Sequence, residues 1–153
     1  MYTRHLFLMK SESDNHMNKH KILWADDDLD DLLLVREILH ETEHNFEIVE
    51  VHNGQQALDY LNKASKKNDF PCLIILDMNM PVLNGKDTLV ILKNEAAYKD
   101  IPVVIFTTSN SEMDRLFCKK YGVEMITKPP EYTTLATSIR KLLSFCNLHK
   151  KSK

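Results

Sequence analysis

The chain has 153 residues, enough for one domain with a real hydrophobic core. Its formal charge of -2 lacks the basic excess of a general nucleic-acid binder, which argues against DNA as a partner. No apolar stretch approaches the roughly 20 residues of a membrane span. Three cysteines, Cys72, Cys118 and Cys146, show neither metal nor redox spacing. They read as reduced core thiols of a cytoplasmic protein.

Residues 1–20 read as a flexible polar extension. Their apolar patch at Leu6–Met9 is too short for a secretion signal, and no small-residue cleavage site follows. Translation could start at Met1, Met9 or Met17. From Lys21 the pattern alternates strand and helix five times. Ile22–Ala25 is a short buried strand. Leu32, Leu34, Val35, Ile38 and Leu39 recur at helical spacing over 29–41. Phe46–Val51 alternates apolar and polar residues, which suits an edge strand. A helix from about Gly54 turns Ala57, Leu58 and Leu61 inward, and the charged stretch 63–70 reads as a solvated loop.

Cys72–Leu76 has no polar interruption, as expected of a central strand covered on both faces. Met80–Gly85 is a loop, followed by a helix carrying Leu89, Ile91 and Leu92. Pro102 opens the fourth strand. Ser109-Asn110-Ser111 offers caps for a helix whose inward face is Met113, Leu116 and Phe117. The fifth strand, Val123–Thr127, precedes a last helix over about 131–146, and 147–153 reads as a basic, solvated tail with no room for an effector domain. Five βα units with short connections make a doubly wound α/β fold.

Polar residues close these strands. Asp26 and Asp27 end the first, Asp77 the third, Thr107 the fourth and Lys128 the fifth. In an open parallel sheet, all strand C-termini point to the edge where ligands bind. Two carboxylates about 5 Å apart repel by about 3 kcal/mol at an effective dielectric of about 20, so a proton or cation between them is expected. Mg²⁺ suits a few carboxylate oxygens plus waters, and no His or Cys at these ends invites zinc. A carboxylate beside Mg²⁺ can act as a nucleophile toward phosphorus. The phosphoryl oxygens would then be neutralised by the metal, the Lys128 ammonium and the Thr107 hydroxyl. Asp28, Asp30 and Asp31 sit where acids favour a helix N-terminus through its dipole.

The runs Ile22-Leu23-Trp24-Ala25-Asp26-Asp27-Asp28 and Leu76-Asp77-Met78-Asn79-Met80-Pro81, with Gly85, Thr107 and Lys128-Pro129, resemble the receiver domain of bacterial two-component response regulators. The likeness runs from about Lys21 to Cys146. It implies a flavodoxin-like (βα)5 sheet in the order 2-1-3-4-5. It also implies Asp77 as phosphoacceptor, and Mg²⁺ held by Asp26 (through water), Asp27, Asp77 and the Asn79 carbonyl. Thr107 becomes the switch hydroxyl and Lys128 the phosphate-binding lysine.

Further implications are a sensor histidine kinase as donor and a cis peptide between Lys128 and Pro129. Output would go through a downstream protein, a histidine phosphotransfer protein or a homodimer using the 110–146 face. The long polar loop before Cys72 and the Asp30-Asp31 pair are similar to small stand-alone receivers paired with phytochrome-like kinases.

Met125 departs from the family, standing where many receivers carry a switch Tyr or Phe, and Pro130 replaces a common aromatic. Asn79 and Ser109 are expected to line the route of water to the phosphoryl group. Two other readings compete with the receiver. An aspartyl-phosphate phosphatase or phosphotransferase would place a second Asp where Asn79 stands. A phosphorylation-independent adaptor would keep only the fold.

Overall fold

The computed structural model describes residues 20–41 and 46–151, with side chains to residue 145. Residues 1–19 of the proposed extension, with its start codons, and the side chains of Cys146 and the basic C-terminus lie outside those limits, whereas His20 already belongs to the first strand. In chain order the elements are β1 (His20–Ala25), α1 (Leu29–Glu41), β2 (Phe46–Val51), α2 (Gly54–Lys66) and β3 (Leu73–Leu76). There follow α3 (Gly85–Asn94), β4 (Val103–Thr107), α4 (Glu112–Lys120), β5 (Glu124–Thr127) and α5 (Tyr132–Lys151). The five strands form one parallel sheet in the order β2-β1-β3-β4-β5.

Alternation along the strands builds two cores. Ile22 and Trp24 of β1, Leu73 and Ile75 of β3, and Val104 and Phe106 of β4 point to one face. There they meet Leu32, Val35 and Ile38 of α1 and Ile139 and Leu142 of α5. Leu23, Ala25, Ile74, Leu76, Val103 and Ile105 point to the other face, against Ala57 and Leu61 of α2, Leu89 and Leu92 of α3 and Cys118 of α4. Each fully buried Leu, Ile or Val contributes about 2 kcal/mol. Burial on both faces explains why β1, β3 and β4 read as unbroken apolar runs. Trp24 and Phe106 meet edge to face with ring centroids 6.1 Å apart.

Several expectations need correction. Helix α2 continues through Lys66, so 63–66 is not loop: Ala64 is buried, and Lys63 and Lys66 in the last turn complement the helix dipole. Helix α5 likewise runs on to Lys151, through most of the stretch read as a tail. Met113 and Leu116 do not face inward; they are 72% and 53% exposed, with Phe117 half-buried. The inward stripe of α4 is instead Asp114, Cys118 and Tyr121, one residue round the helix. A polar Asp114 can sit there because Lys86 and Ser109 bind it.

No peptide bond among the described residues is cis, so Lys128–Pro129 is trans. The two isomers of an X-Pro bond differ by only about 0.5–1 kcal/mol, too little for a dipeptide to decide. Cys118 is a buried free thiol, as expected. Cys72 is disulfide-bonded rather than reduced. Which thiols approach within bonding distance is set by tertiary packing, which sequence spacing does not show. Among the described residues, no helix is long and apolar enough to cross a membrane.

The loop joining β3 to α3 holds the strand end in place. The Gly85 N–H donates to the Met78 carbonyl at 2.9 Å, and a Cβ on Gly85 would lie 2.1 Å from the Asp77 carbonyl oxygen. Only glycine lets α3 start so close to the end of β3. At the loop apex the Leu83 N–H donates back to the Pro81 carbonyl at 2.7 Å, which leaves Val82 at φ +68° and 81% exposed. A β-branched residue is strained there. Val82→Asn, a residue that tolerates this region, is expected to raise the unfolding free energy by about 1 kcal/mol. Urea denaturation checks this; an unchanged midpoint would show that the turn carries no such strain.

Candidate functional site

Backbone pairing carries each strand to the same edge. The Asp26 N–H donates to Val51 O and the Asp77 N–H to Ala25 O, both at 3.0 Å, so the sheet stays paired to the residues that carry the carboxylates. The Lys128 N–H donates to Thr107 O at 2.6 Å, which sets the ends of β4 and β5 side by side. Asp28 turns the chain into α1: its Oδ1 accepts from the N–H groups of Asp30 and Asp31 at 3.0 and 3.2 Å. Its own N–H donates to Asp26 Oδ1 at 2.9 Å.

Asp26, Asp77, Thr107 and Lys128 are buried, while Asp27 and Asn79 are exposed. Carboxylate oxygens of Asp26, Asp27 and Asp77 all lie within 4.8 Å of one another. The Lys128 ammonium donates to Asp26 Oδ2 at 2.6 Å, to Asp31 Oδ2 at 2.8 Å and to Asp77 Oδ2 at 3.2 Å. It also lies 5.8 Å from the centroid of the Phe106 ring, whose face favours a cation. Asp77 Oδ1 is 3.5 Å from the Asn79 N–H, a long contact that begins the loop. Thr107 Oγ1 accepts from the Ser109 N–H at 3.2 Å.

The electrostatics follow from burial and crowding. Burial raises the Asp26 carboxyl; Lys128 pulls it back, and Asp77 adds repulsion, leaving it at about 7. Burial works against the Lys128 charge, but Asp26, Asp31 and Asp77 outweigh it and hold the ammonium above the usual lysine value. One ammonium thus serves three carboxylates, and a fourth, Asp27, stands beside them. An all-oxygen, acid-rich cluster of this kind suits a hard divalent cation.

The residues expected at the site are therefore at one edge. Asp26, Asp27, Asp77 and Lys128 converge directly. Thr107 joins them through the β4–β5 backbone, and Asn79 sits on the rim. The sequence assigns Asp31 no direct role at the site, yet it is a direct partner of Lys128. Its place three residues after the Asp28 cap, on the first turn above the sheet edge, was the available signal. Met125 is half-buried against the core on the α2–α4 side.

Comparison with known proteins agrees with this geometry. Residues 22–140 match the family model described as the response regulator receiver domain. The transcriptional regulatory protein CpxR of Escherichia coli K12 is 36% identical over 125 residues, 81% of this chain. The chain spans only 49% of that relative's length. The response regulator Rcp1 of Synechocystis is 33% identical over 67% of this chain and 71% of its own. Its Mn²⁺-bound crystal structure superposes with a TM-score of 0.75 over 82% of this chain and 93% of that one, at 30% identity. The phosphorylated cyanobacterial phytochrome response regulator RcpA gives a TM-score of 0.77 at 30% identity, covering 83% of this chain and 93% of that one. With its acid pair, strand-end aspartate, threonine and lysine on successive ends of a 2-1-3-4-5 sheet, the chain belongs to the response regulator receiver domain family.

Proposed function

We propose that Asp77 accepts a phosphoryl group from the phosphohistidine of a sensor histidine kinase, and that the chain signals through the conformation this stabilises. The observation that carries the reading is the Lys128 ammonium, held within hydrogen-bond reach of Asp77 and Asp26 beside the exposed Asp27. Asp77 attacks phosphorus, the P–N bond breaks, and the imidazole leaves with the electron pair. Asp77 thereby loses its charge as a carboxylate, and Lys128 turns from it to a phosphoryl oxygen. Thr107 donates its hydroxyl to another. Asp26, Asp27, Asp77 and the Asn79 carbonyl would hold Mg²⁺, which supplies neutralisation of the phosphoryl charge when bound.

Phosphorylation then biases two pre-existing arrangements of the surface formed by α4, β5 and α5. Met113 and Leu116, exposed on α4, give that surface apolar contacts for a downstream protein, a histidine phosphotransfer protein or a second copy. The likeness to RcpA and Rcp1 supports a phytochrome-like kinase as donor. The proposed setting is the cytoplasm, where kinases draw the group from ATP. The chain catalyses its own phosphorylation and hydrolysis and is otherwise a signal carrier. A phosphatase or phosphotransferase reading is weakened by Asn79, exposed where such enzymes need a second acid. The adaptor reading rests on Met125 alone.

Intact mass after incubation with acetyl phosphate and Mg²⁺ tests the chemistry. One phosphoryl group should be gained by the wild type and by neither Asp77→Asn nor a chelated control. No gain, even with a cognate kinase, would move the reading to the adaptor.

The site also predicts a pH response. The folded state holds a proton on Asp26 up to about pH 7, whereas the unfolded chain releases it at about pH 4. Between these values the folded state binds more protons, so metal-free stability is highest below the window and falls through it. The slope from this group is at most about 1.4 kcal/mol per pH unit. Denaturant titrations in chelator at about pH 5 and about pH 8 should show the loss, and Asp26→Asn should flatten it. Equal slopes in both proteins would remove Asp26 as its source.

A further inference from the structure

One connected set of polar groups beside the site takes no part in the transfer step described above. The Ser109 hydroxyl donates to Asp114 Oδ2 at 2.5 Å, and Asp114 Oδ1 pairs with the Lys86 ammonium at 2.7 Å. Lys86 lies at the start of α3, one residue after Gly85, with its ammonium 5.4 Å from the centroid of the Phe117 ring. On the other side of the same loop, Thr127 Oγ1 donates to Ser109 O at 3.2 Å and accepts from Arg115 at 2.8 Å. The loop between β4 and α4 is thus fastened from α3, from α4 and from β5. Lys86 and Ser109 together hold the Asp114 carboxyl below the usual carboxylate range.

The consequence falls on Thr107. A hydroxyl has one proton and two lone pairs. The Ser109 N–H occupies a lone pair of Thr107 Oγ1, which leaves the proton to be donated elsewhere. Thr107 is fully buried, so the position of Ser109 sets the direction of the hydroxyl. Asp114 in turn sets the position of Ser109.

We propose that Asp114, braced by Lys86, is a positioning residue for phosphoryl transfer: it fixes Ser109 so that the Thr107 hydroxyl presents its proton to the phosphoryl group on Asp77. This rests on the receiver reading given above. The ion pair is partly exposed, Lys86 by 41% and Asp114 by 17%, so Lys86 contributes less than Asp114 itself.

The test is the rate of Asp77 phosphorylation by acetyl phosphate with Mg²⁺, measured on the full chain. Asp114→Ala should slow it about tenfold, the size of one charge-assisted hydrogen bond, and Lys86→Ala about two- to threefold. Mg²⁺ affinity should stay unchanged in both, because the carboxylates that would hold the metal are untouched. In a Thr107→Ala background, Asp114→Ala should cause no further loss. Asp114→Asn, which keeps an acceptor oxygen for the Ser109 hydroxyl, should recover most of the rate lost in Asp114→Ala.

A wild-type rate in Asp114→Ala would overturn the proposal. So would the same tenfold loss with Thr107 already gone, which would mark a general structural role. If Thr107→Ala leaves no measurable rate, Asp114→Asn decides: a rate no better than that of Asp114→Ala overturns the proposal. A wild type that takes no phosphoryl group from acetyl phosphate, from phosphoramidate or from a cognate kinase brings down the receiver reading, and this one with it.

Discussion

A single buried ammonium holds the functional edge together. Lys128 arrives from β5 and binds carboxylates from β1, from α1 and from β3. Without it, burial and the neighbouring Asp77 would push Asp26 still further toward its neutral form, and the charged link between the strand ends would be lost. With it, the β1–α1 junction and the end of β3 are pinned to the end of β5. The rest of the architecture serves that point: the glycine at 85 and the Asp28 cap each help to bring a carboxylate into range.

The same interaction explains why the site is poised rather than at rest. A charge shared among three acceptors can be redistributed when one acceptor changes. The Trp24–Phe106 pair and the ammonium above Phe106 place this adjustable charge directly on the core.

Much of this was legible in the sequence because the signals were strong and local. Unbroken apolar runs ended by Asp or Thr, and a mixed one ended by Lys, marked the sheet and its functional edge together, and the periodicity of 29–41 and 46–51 matched α1 and β2 to the residue. What escaped was tertiary. Asp31 is at once an ordinary first-turn acid and a partner of a lysine 97 residues away, and only the folded sheet shows the second role. The face of α4 was misjudged because apolar residues usually turn inward. Here an ion pair and a hydroxyl draw Asp114 in and leave Met113 and Leu116 out. The continuation of α2 to Lys66 was hidden by charge, since lysines in a last helical turn look like loop when counted only by polarity.

The separation of Asp26 from Lys128 by 102 positions has a consequence for biosynthesis. A chain emerging from the ribosome delivers both aspartates of β1, Asp31 and then Asp77 long before the lysine that reconciles them. Strand β1 needs β3 as well as β2 for its hydrogen bonds, so the centre of the sheet also waits on later residues. Non-local parallel pairing of this kind forms slowly and leaves strand edges open in the meantime. The edge that will carry the signal thus becomes electrically whole only after β5 has emerged, and a nascent chain stalled before β5 holds its acids without their counter-charge.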